Sequence, residues 1–324
     1  MKRCFFLLIV ISATLLFSCS KDNSGTTPTP STITKGKNRF TITVDGSERE
    51  YFVHVPTGYT GNTATPLVIM FHGTGQNGAQ FYDISGWKEV GESENILTVF
   101  PSALSYCIIE DGVNQTTPKW TGYADSYSYC QGVVPKDDIK FMRSMLTELK
   151  GNYKIDAKKI YVVGFSNGGE FSARCAVEMS DVFAAAVSSG GGGALPPNLS
   201  LTPVRLLPVM LQFGNKDAKL LKGLGVTGAL PMDFTTLFTT YPNLYAHSPK
   251  PYINTFKMDE KNYTITGNPA EYIVGNYVGL SGNSNNVFKL VEVKDLEHEY
   301  PNGKNHPLNG AVLHWAWFKQ FSLP

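Results

Sequence analysis

The chain has 324 residues, 42% of them hydrophobic, which is enough for one large α/β domain or two small ones with ample cores. Lys and Arg number 28 against 27 Asp and Glu, a formal net charge of +1 with no basic block anywhere. Neither the phosphate backbone of a nucleic acid nor an anionic membrane surface is therefore an implied partner.

The first residues, MKRCFFLLIVISATLLFSCSKDNSG, run from two cations through an apolar stretch to Cys19 and then turn polar. The apolar run is too short for a comfortable transmembrane helix and reads as an export signal over residues 1–18. LFSC resembles the lipobox of bacterial lipoproteins. By that resemblance Cys19 is acylated, becomes the mature N-terminus and anchors the protein in a membrane; SKDNSG resembles the start of surface lipoproteins, which implies the outer membrane, on its periplasmic or cell-surface face. The alternative is an ordinary cleaved signal with an incidental cysteine. Residues 19–38 are rich in Ser, Thr and Pro without an apolar period, as a tether would be.

Residues 39–324 read as one catalytic domain. RFTITVDG and EREYFVHVP alternate apolar and polar residues around Asp45-Gly46, an antiparallel hairpin. PLVIMFHGTG is instead continuously apolar, as expected of a strand covered on both faces. Cys107 and Cys130 bracket one loop-like segment and form the candidate disulfide, which an exported protein can keep. Cys175, within a helical pattern, reads as a small buried residue. No cysteine spacing resembles a zinc site, and neither metal nor cofactor is implied. After Pro135 a helix is well specified: Asp137 and Asp138 suit its N-terminus, and Ile139, Met142, Leu146 and Leu149 share one face. KIYVVGF, FAAAVSSG, LLPVMLQFG and NVFKLVEV alternate with helical segments, which predicts a mostly parallel sheet with helices on both faces. Residues 219–285 carry no long period and read as a cap-like excursion forming a pocket wall.

The segment KKIYVVGFSNGGEFSARC contains Gly-x-Ser-x-Gly at Gly164, Ser166 and Gly168. Alone this is weak evidence, because a glycine-rich chain produces such matches by chance. Here it falls between a strand and a helix, the setting of a nucleophile elbow, in which Ser166 stands clear of the sheet beside a helix N-terminus. A serine needs a base and an orienting acid, which α/β-hydrolases supply in the chain order Ser, acid, His. Asp217 ends a strand and is the expected acid; Asp259, Glu260 and Asp295 have no such strand before them. His298 follows a strand just before the last helix and is the expected base, with His306 as runner-up. His54, His72 and His314 read as structural. Backbone N–H groups of Asn167 and Thr74, the latter in HGTGQ, are the expected oxyanion donors. SSGGGG, residues 188–193, reads as a loop near the site, not as a phosphate loop.

PLVIMFHGTGQNG, VVGFSNGGEFSARCAVEMSDVFAAAVSSGG, FGNKD and LEHEYPNG, in this order, resemble the secreted esterases grouped as polyhydroxybutyrate depolymerase-like proteins and the feruloyl and acetylxylan esterases of carbohydrate esterase family one. The resemblance spans about residues 48–320. It implies an α/β-hydrolase fold and assigns Ser166, Asp217 and His298 to the catalytic roles. It implies a serine carboxylic-ester hydrolase acting through an acyl-enzyme on feruloyl or acetyl esters of plant polysaccharide, with ester-bearing polysaccharide, oligosaccharide or polyester as partner. Polyester depolymerisation is the near alternative, a dipeptidyl-peptidase-like activity a more distant one, and a non-catalytic glycan-binding lipoprotein on the same fold the alternative of another class. Members often read Gly-Gly-His-Thr-Trp-Pro around the base, where this chain has Leu296-Glu297-His298-Glu299-Tyr300-Pro301. The two carboxylates flanking the histidine are placed to raise its pKa or to shape the acceptor site. Tyr300 and Trp120 are the expected substrate-binding aromatics, a core or surface position for Trp120 being the alternative.

Overall fold

The computed structural model describes residues 34–110, 112–123, 128–280 and 286–324; the export segment and Cys19 lie outside them. The hairpin forms as its alternation requires. Strand β1 (Gly36–Val44), beginning inside the stretch expected as tether, pairs antiparallel with β2 (Ser47–Val55). Asp45 and Gly46 between them both have positive φ, 49° and 74°, the requirement of a two-residue hairpin turn whose twist matches the strands. The apolar run gives β3 (Thr65–Phe71), followed by α1 (Gly78–Ile84), α2 (Trp87–Glu94) and β4 (Leu97–Pro101).

The chain then leaves the main sheet. β5 (Ser105–Glu110), β6 (Val113–Pro118) and β7 (Ser128–Tyr129) make a small second sheet, and a disulfide joins Cys107 to Cys130 across it. Helix α3 (Asp138–Asn152) starts where Asp137 accepts the N–H groups of Ile139 and Lys140, and it buries Ile139, Met142, Leu146 and Leu149. Asp138 stands in the first turn as expected and is also fully buried in an ion pair with Arg49 at 2.6 Å.

β8 (Ile155–Phe165), α4 (Asn167–Glu178), β9 (Ala185–Ser189) and β10 (Val209–Gly214) continue the alternation. Four short helices follow: α5 (Ala218–Leu224), α6 (Phe234–Thr240), α7 (Pro242–His247) and α8 (Pro249–Thr255). The second half of the expected excursion rejoins the sheet as β11 (Met258–Asn268) and β12 (Tyr272–Gly279), before β13 (Val287–Val293) and α9 (Gly310–Phe318). The large sheet has the order β1-β2-β4-β3-β8-β9-β10-β13-β12-β11. Its central strands from β4 to β13 are parallel and both flanks antiparallel.

Helices cover both faces. On one, Trp87 of α2 and Trp315, Trp317 and Phe318 of α9 pack in a single cluster with Val68, Met70, Tyr161 and Val163. On the other, Phe71 meets Phe171 of α4 at 4.9 Å between ring centroids. At ~25 cal/mol per Å² of apolar area removed from water, such two-sided burial is what holds the central strands in place. Parallel strands also bring their C-terminal ends to one edge, where loops collect.

Candidate active site

Ser166 sits at that edge, in the turn between β8 and α4. Its backbone is strained, with φ 52° and ψ −122°, a conformation a non-glycine residue holds only when its surroundings fix it. The flanking glycines let them do so. A Cβ on Gly164 would lie 2.0 Å from the Gly168 carbonyl oxygen, and one on Gly168 would lie 2.4 Å from that of His72. Only glycine permits the tight turn and the approach of β3. Ser166 occupies the N-cap position of α4 without capping it, and its Oγ instead lies 2.9 Å from His298 Nε2.

The other His298 ring nitrogen, Nδ1, is 2.7 Å from Asp217 Oδ2. Asp217 Oδ1 accepts the N–H groups of Lys219 and Leu220 and so caps α5. The loop after β10, which carries the expected acid, and the loop after β13, which carries the expected base, are fastened to each other: Asn215 N–H donates to the Val293 carbonyl, Lys216 N–H to that of Leu296, and Asp295 N–H to Asn215 Oδ1. Both imidazole nitrogens being engaged, Glu297 and Glu299 have no ring nitrogen left to bond. The runner-up His306 is tied elsewhere, its Nε2 2.9 Å from the Lys294 carbonyl oxygen and its Nδ1 accepting the Leu308 N–H.

The HGTG loop faces the serine. His72 is fully buried; Nδ1 donates to the Gly73 carbonyl at 2.7 Å and Nε2 accepts the Ala103 N–H at 3.0 Å. Burial pushes its pKa down to about 4, so the neutral ring fixes the loop at physiological pH. Among the described residues the Thr74 backbone N–H has no acceptor, and Thr74 lines the same cavity as Ser166 and Asn167.

That cavity is about 770 Å³, and its lining brings together Thr74, Ser166, Asn167, Asp217 and His298. The disulfide-tethered hairpin and the residues after it line the cavity through Ile108, Ile109 and Lys119, and the short helices through Leu220, Leu224, Leu244 and His247. Gly190, Gly192 and Gly193 of the SSGGGG run also border it. The sequence reading missed Lys119, whose ammonium pKa is lowered by burial, and Glu170 on the first turn of α4. The usable signal for Lys119 was its place beside Trp120 inside the cysteine-bracketed segment.

Two expected contacts are overturned. Trp120 does not line the pocket: it is fully buried between Phe71 and Phe171, stacked on the latter at 5.1 Å, and its Nε1–H donates to the His72 carbonyl. Its backbone N–H donates to Asn167 Oδ1 while Asn167 Nδ2 donates to its carbonyl. The tryptophan thus clips the HGTG loop to the turn that carries Ser166. Tyr300 is also buried, its hydroxyl turned into the core between Trp87 and His314. A tyrosine hydroxyl taken into a core needs hydrogen-bond partners there, and Tyr300 has two.

Feruloyl esterase B of Piromyces equi is 25% identical over 278 residues, a stretch covering 85% of this chain and 46% of that protein. Poly(3-hydroxyalkanoate) depolymerase C of Paucimonas lemoignei is 29% identical over 143 residues, covering 44% of this chain and 31% of its own. The chain thus spans less than half the length of these relatives. Among solved structures, an acetyl xylan esterase from Aspergillus awamori superposes with a TM-score of 0.55 at 15% identity, over 87% of this chain and 99% of that one, which shows a shared fold. The phospholipase/carboxylesterase pattern matches residues 58–228, from the turn before β3 to the end of the acid loop and α5, and the chain accordingly belongs to that family of α/β-hydrolases.

Proposed function

We propose that the protein is a serine carboxylic-ester hydrolase working through an acyl-enzyme. The observation that carries this reading is the continuous hydrogen-bonded line Ser166 Oγ to His298 Nε2, His298 Nδ1 to Asp217 Oδ2, at 2.9 and 2.7 Å, opening into a cavity. Ser166 Oγ attacks the ester carbonyl as His298 takes its proton. The negative charge that develops on the carbonyl oxygen is met by the backbone N–H groups of Asn167 and Thr74. His298 returns the proton to the departing alcohol, then activates a water that releases the acid and restores the serine. Asp217 holds the imidazole in the tautomer that leaves Nε2 able to accept.

Feruloyl or acetyl esters of plant cell-wall polysaccharide are the proposed substrates. The similarity to feruloyl esterase B over most of the chain supports them, as does a cavity lined by both apolar and polar side chains. Export and acylation at Cys19 are part of the same proposal; incorporation of an alkyne-labelled fatty acid by wild type but not by Cys19→Ala is the expected result.

A fluorophosphonate probe tests the chemistry. Wild type is expected to label and Ser166→Ala not to; equal labelling of both would remove the enzymatic reading and favour a glycan-binding role. Ferulate release from arabinoxylan, without hydroxybutyrate release from a polyester, is the expected outcome for substrate class.

A further inference from the structure

Beneath the serine and the histidine lies a line of buried polar side chains that the proposed chemistry does not use. Trp87 Nε1 is 2.9 Å from Tyr300 Oη, Tyr300 Oη is 2.8 Å from His314 Nδ1, His314 Nε2 is 3.0 Å from Gln212 Oε1, and Gln212 Nε2 is 3.0 Å from Ser189 Oγ. Trp87, His314 and Gln212 have no exposed surface, and Tyr300 and Ser189 have almost none. Only one proton arrangement satisfies the line. An indole N–H can only donate, so the tyrosine hydroxyl accepts from it and donates onward to His314 Nδ1. The histidine then carries its proton on Nε2 and donates to the glutamine oxygen, which turns the glutamine nitrogen to Ser189.

The ends of this line attach to the two reacting residues. Tyr300 stands two positions after His298 in the same loop, and its phenol anchors that loop in the core. At the other end the Ser189 carbonyl accepts the Ser166 N–H at 2.8 Å, while the Gln212 carbonyl accepts the Gly190 N–H at 2.7 Å. Phe165, the residue before the nucleophile, lies against the His298 ring at 5.1 Å between centroids. The surrounding cluster is otherwise aromatic and aliphatic. In such a setting polar groups give stability no better than apolar ones, but a fully satisfied network specifies one geometry.

We infer that Tyr300 and His314 are positioning residues that set the distance between Ser166 Oγ and His298 Nε2, through a buried chain running from the base loop to the nucleophile elbow. This rests on the reading of Ser166 as nucleophile and His298 as base. Burial depresses the His314 pKa to about 3, so the chain keeps its polarity throughout the neutral range.

The experiment measures kcat and KM for a small acetyl ester, with fluorophosphonate labelling rates, in wild type, Tyr300→Phe, Ser189→Ala and the double variant. A loosening of the pair by a few tenths of an ångström to one ångström lowers kcat by about 10 to 100-fold, while KM stays within about 2-fold, since no pocket contact is touched. Both variants acting through one chain, the double variant falls no further than about the larger single loss. Variants that fold with kcat within about 2-fold of wild type, or single losses that multiply in the double variant, overturn the inference. If Tyr300→Phe does not fold, Ser189→Ala, which deletes one oxygen, decides it alone: a lowered kcat supports the inference and an unchanged one overturns it. A wild type that fails to label removes the catalytic reading and this one with it; a reactive wild type with unchanged variants removes only this one.

Discussion

Asp217 divides its oxygens between two tasks, Oδ1 capping α5 and Oδ2 holding the His298 ring. The substitution Asp217→Asn separates them. Asparagine caps helices about as well as aspartate, so its Oδ1 stays with the Lys219 and Leu220 N–H groups. Its Nδ2 then faces His298 Nδ1 and donates, which forces the proton to Nε2 and leaves the base nothing with which to accept. The expected outcome is a fall in kcat of about 10⁴-fold with a melting temperature close to that of wild type, checked by steady-state kinetics beside thermal unfolding. The meeting of Ser166, His298 and Asp217 was legible in the sequence because each ends or follows a strand that announces itself by an apolar run. Trp120 and Tyr300 were not, since an aromatic residue suits a pocket wall and a core equally. What decided between them was hydrogen-bond partners far along the chain, Trp120 with His72 and Asn167, and Tyr300 with Trp87 and His314.

The hairpin of β5 and β6 is a pocket wall held at its base by the Cys107–Cys130 disulfide, whose cysteines stand 23 positions apart. Closing a loop of that length stabilises a fold by about 3 kcal/mol in the chain-entropy account. The double variant Cys107→Ser, Cys130→Ser is therefore expected to lose about that much in denaturant unfolding. Its KM is expected to rise while kcat is largely kept, because Ile108, Ile109 and Lys119 line the cavity but the reacting groups lie on other elements. An unchanged KM would mean that the wall does not meet the substrate. The elements the sequence reading lost are of the same peripheral kind. Helices α5 to α8 have six or seven residues each, too few for a 3.6-residue period to repeat, and β11 is an edge strand exposed on both faces for most of its length, so no alternation marks it. The central strands were readable because two-sided burial demands uninterrupted apolar residues.

Across the molecule, three of the buried titratable groups make stability depend on pH. His72 and His314 are neutral in the fold, with pKa values of about 4 and about 3 below the ordinary 6.5. The unfolded chain binds more protons over that interval, so their contribution is complete above pH 6.5 and is lost as pH falls toward the folded values. Glu292 on β13 acts in the opposite sense. It has no exposed surface and, among the described residues, neither carboxyl oxygen has a hydrogen-bond partner; burial, reinforced by the nearby Asp233 carboxylate, raises its pKa to about 8. The folded state holds that proton between 4.5 and 8 while the unfolded chain releases it, so stability falls as pH rises through this window. Stability should peak at about pH 6 to 7, and Glu292→Gln should flatten the alkaline decline; melting temperatures from pH 4 to 9 check both. The parallel core of the sheet was legible, but its order was not, because nothing local says that β10 and β13 are neighbours. That adjacency has a consequence for how such a protein diversifies. The chain leaves the sheet after Asp217, re-enters it at the edge strand β11 and returns through β12 to β13 beside β10, and the loops carrying Asp217 and His298 are fastened to each other as well as to the segment between them. The intervening segment is a replaceable cassette: one recombination event can exchange much of the cavity lining and a sheet edge while Ser166, Asp217 and His298 stay where they are. Any incoming segment must supply a first turn of helix whose N–H groups seat the carboxylate of Asp217, and a backbone partner for Asn215 where Leu230 now stands.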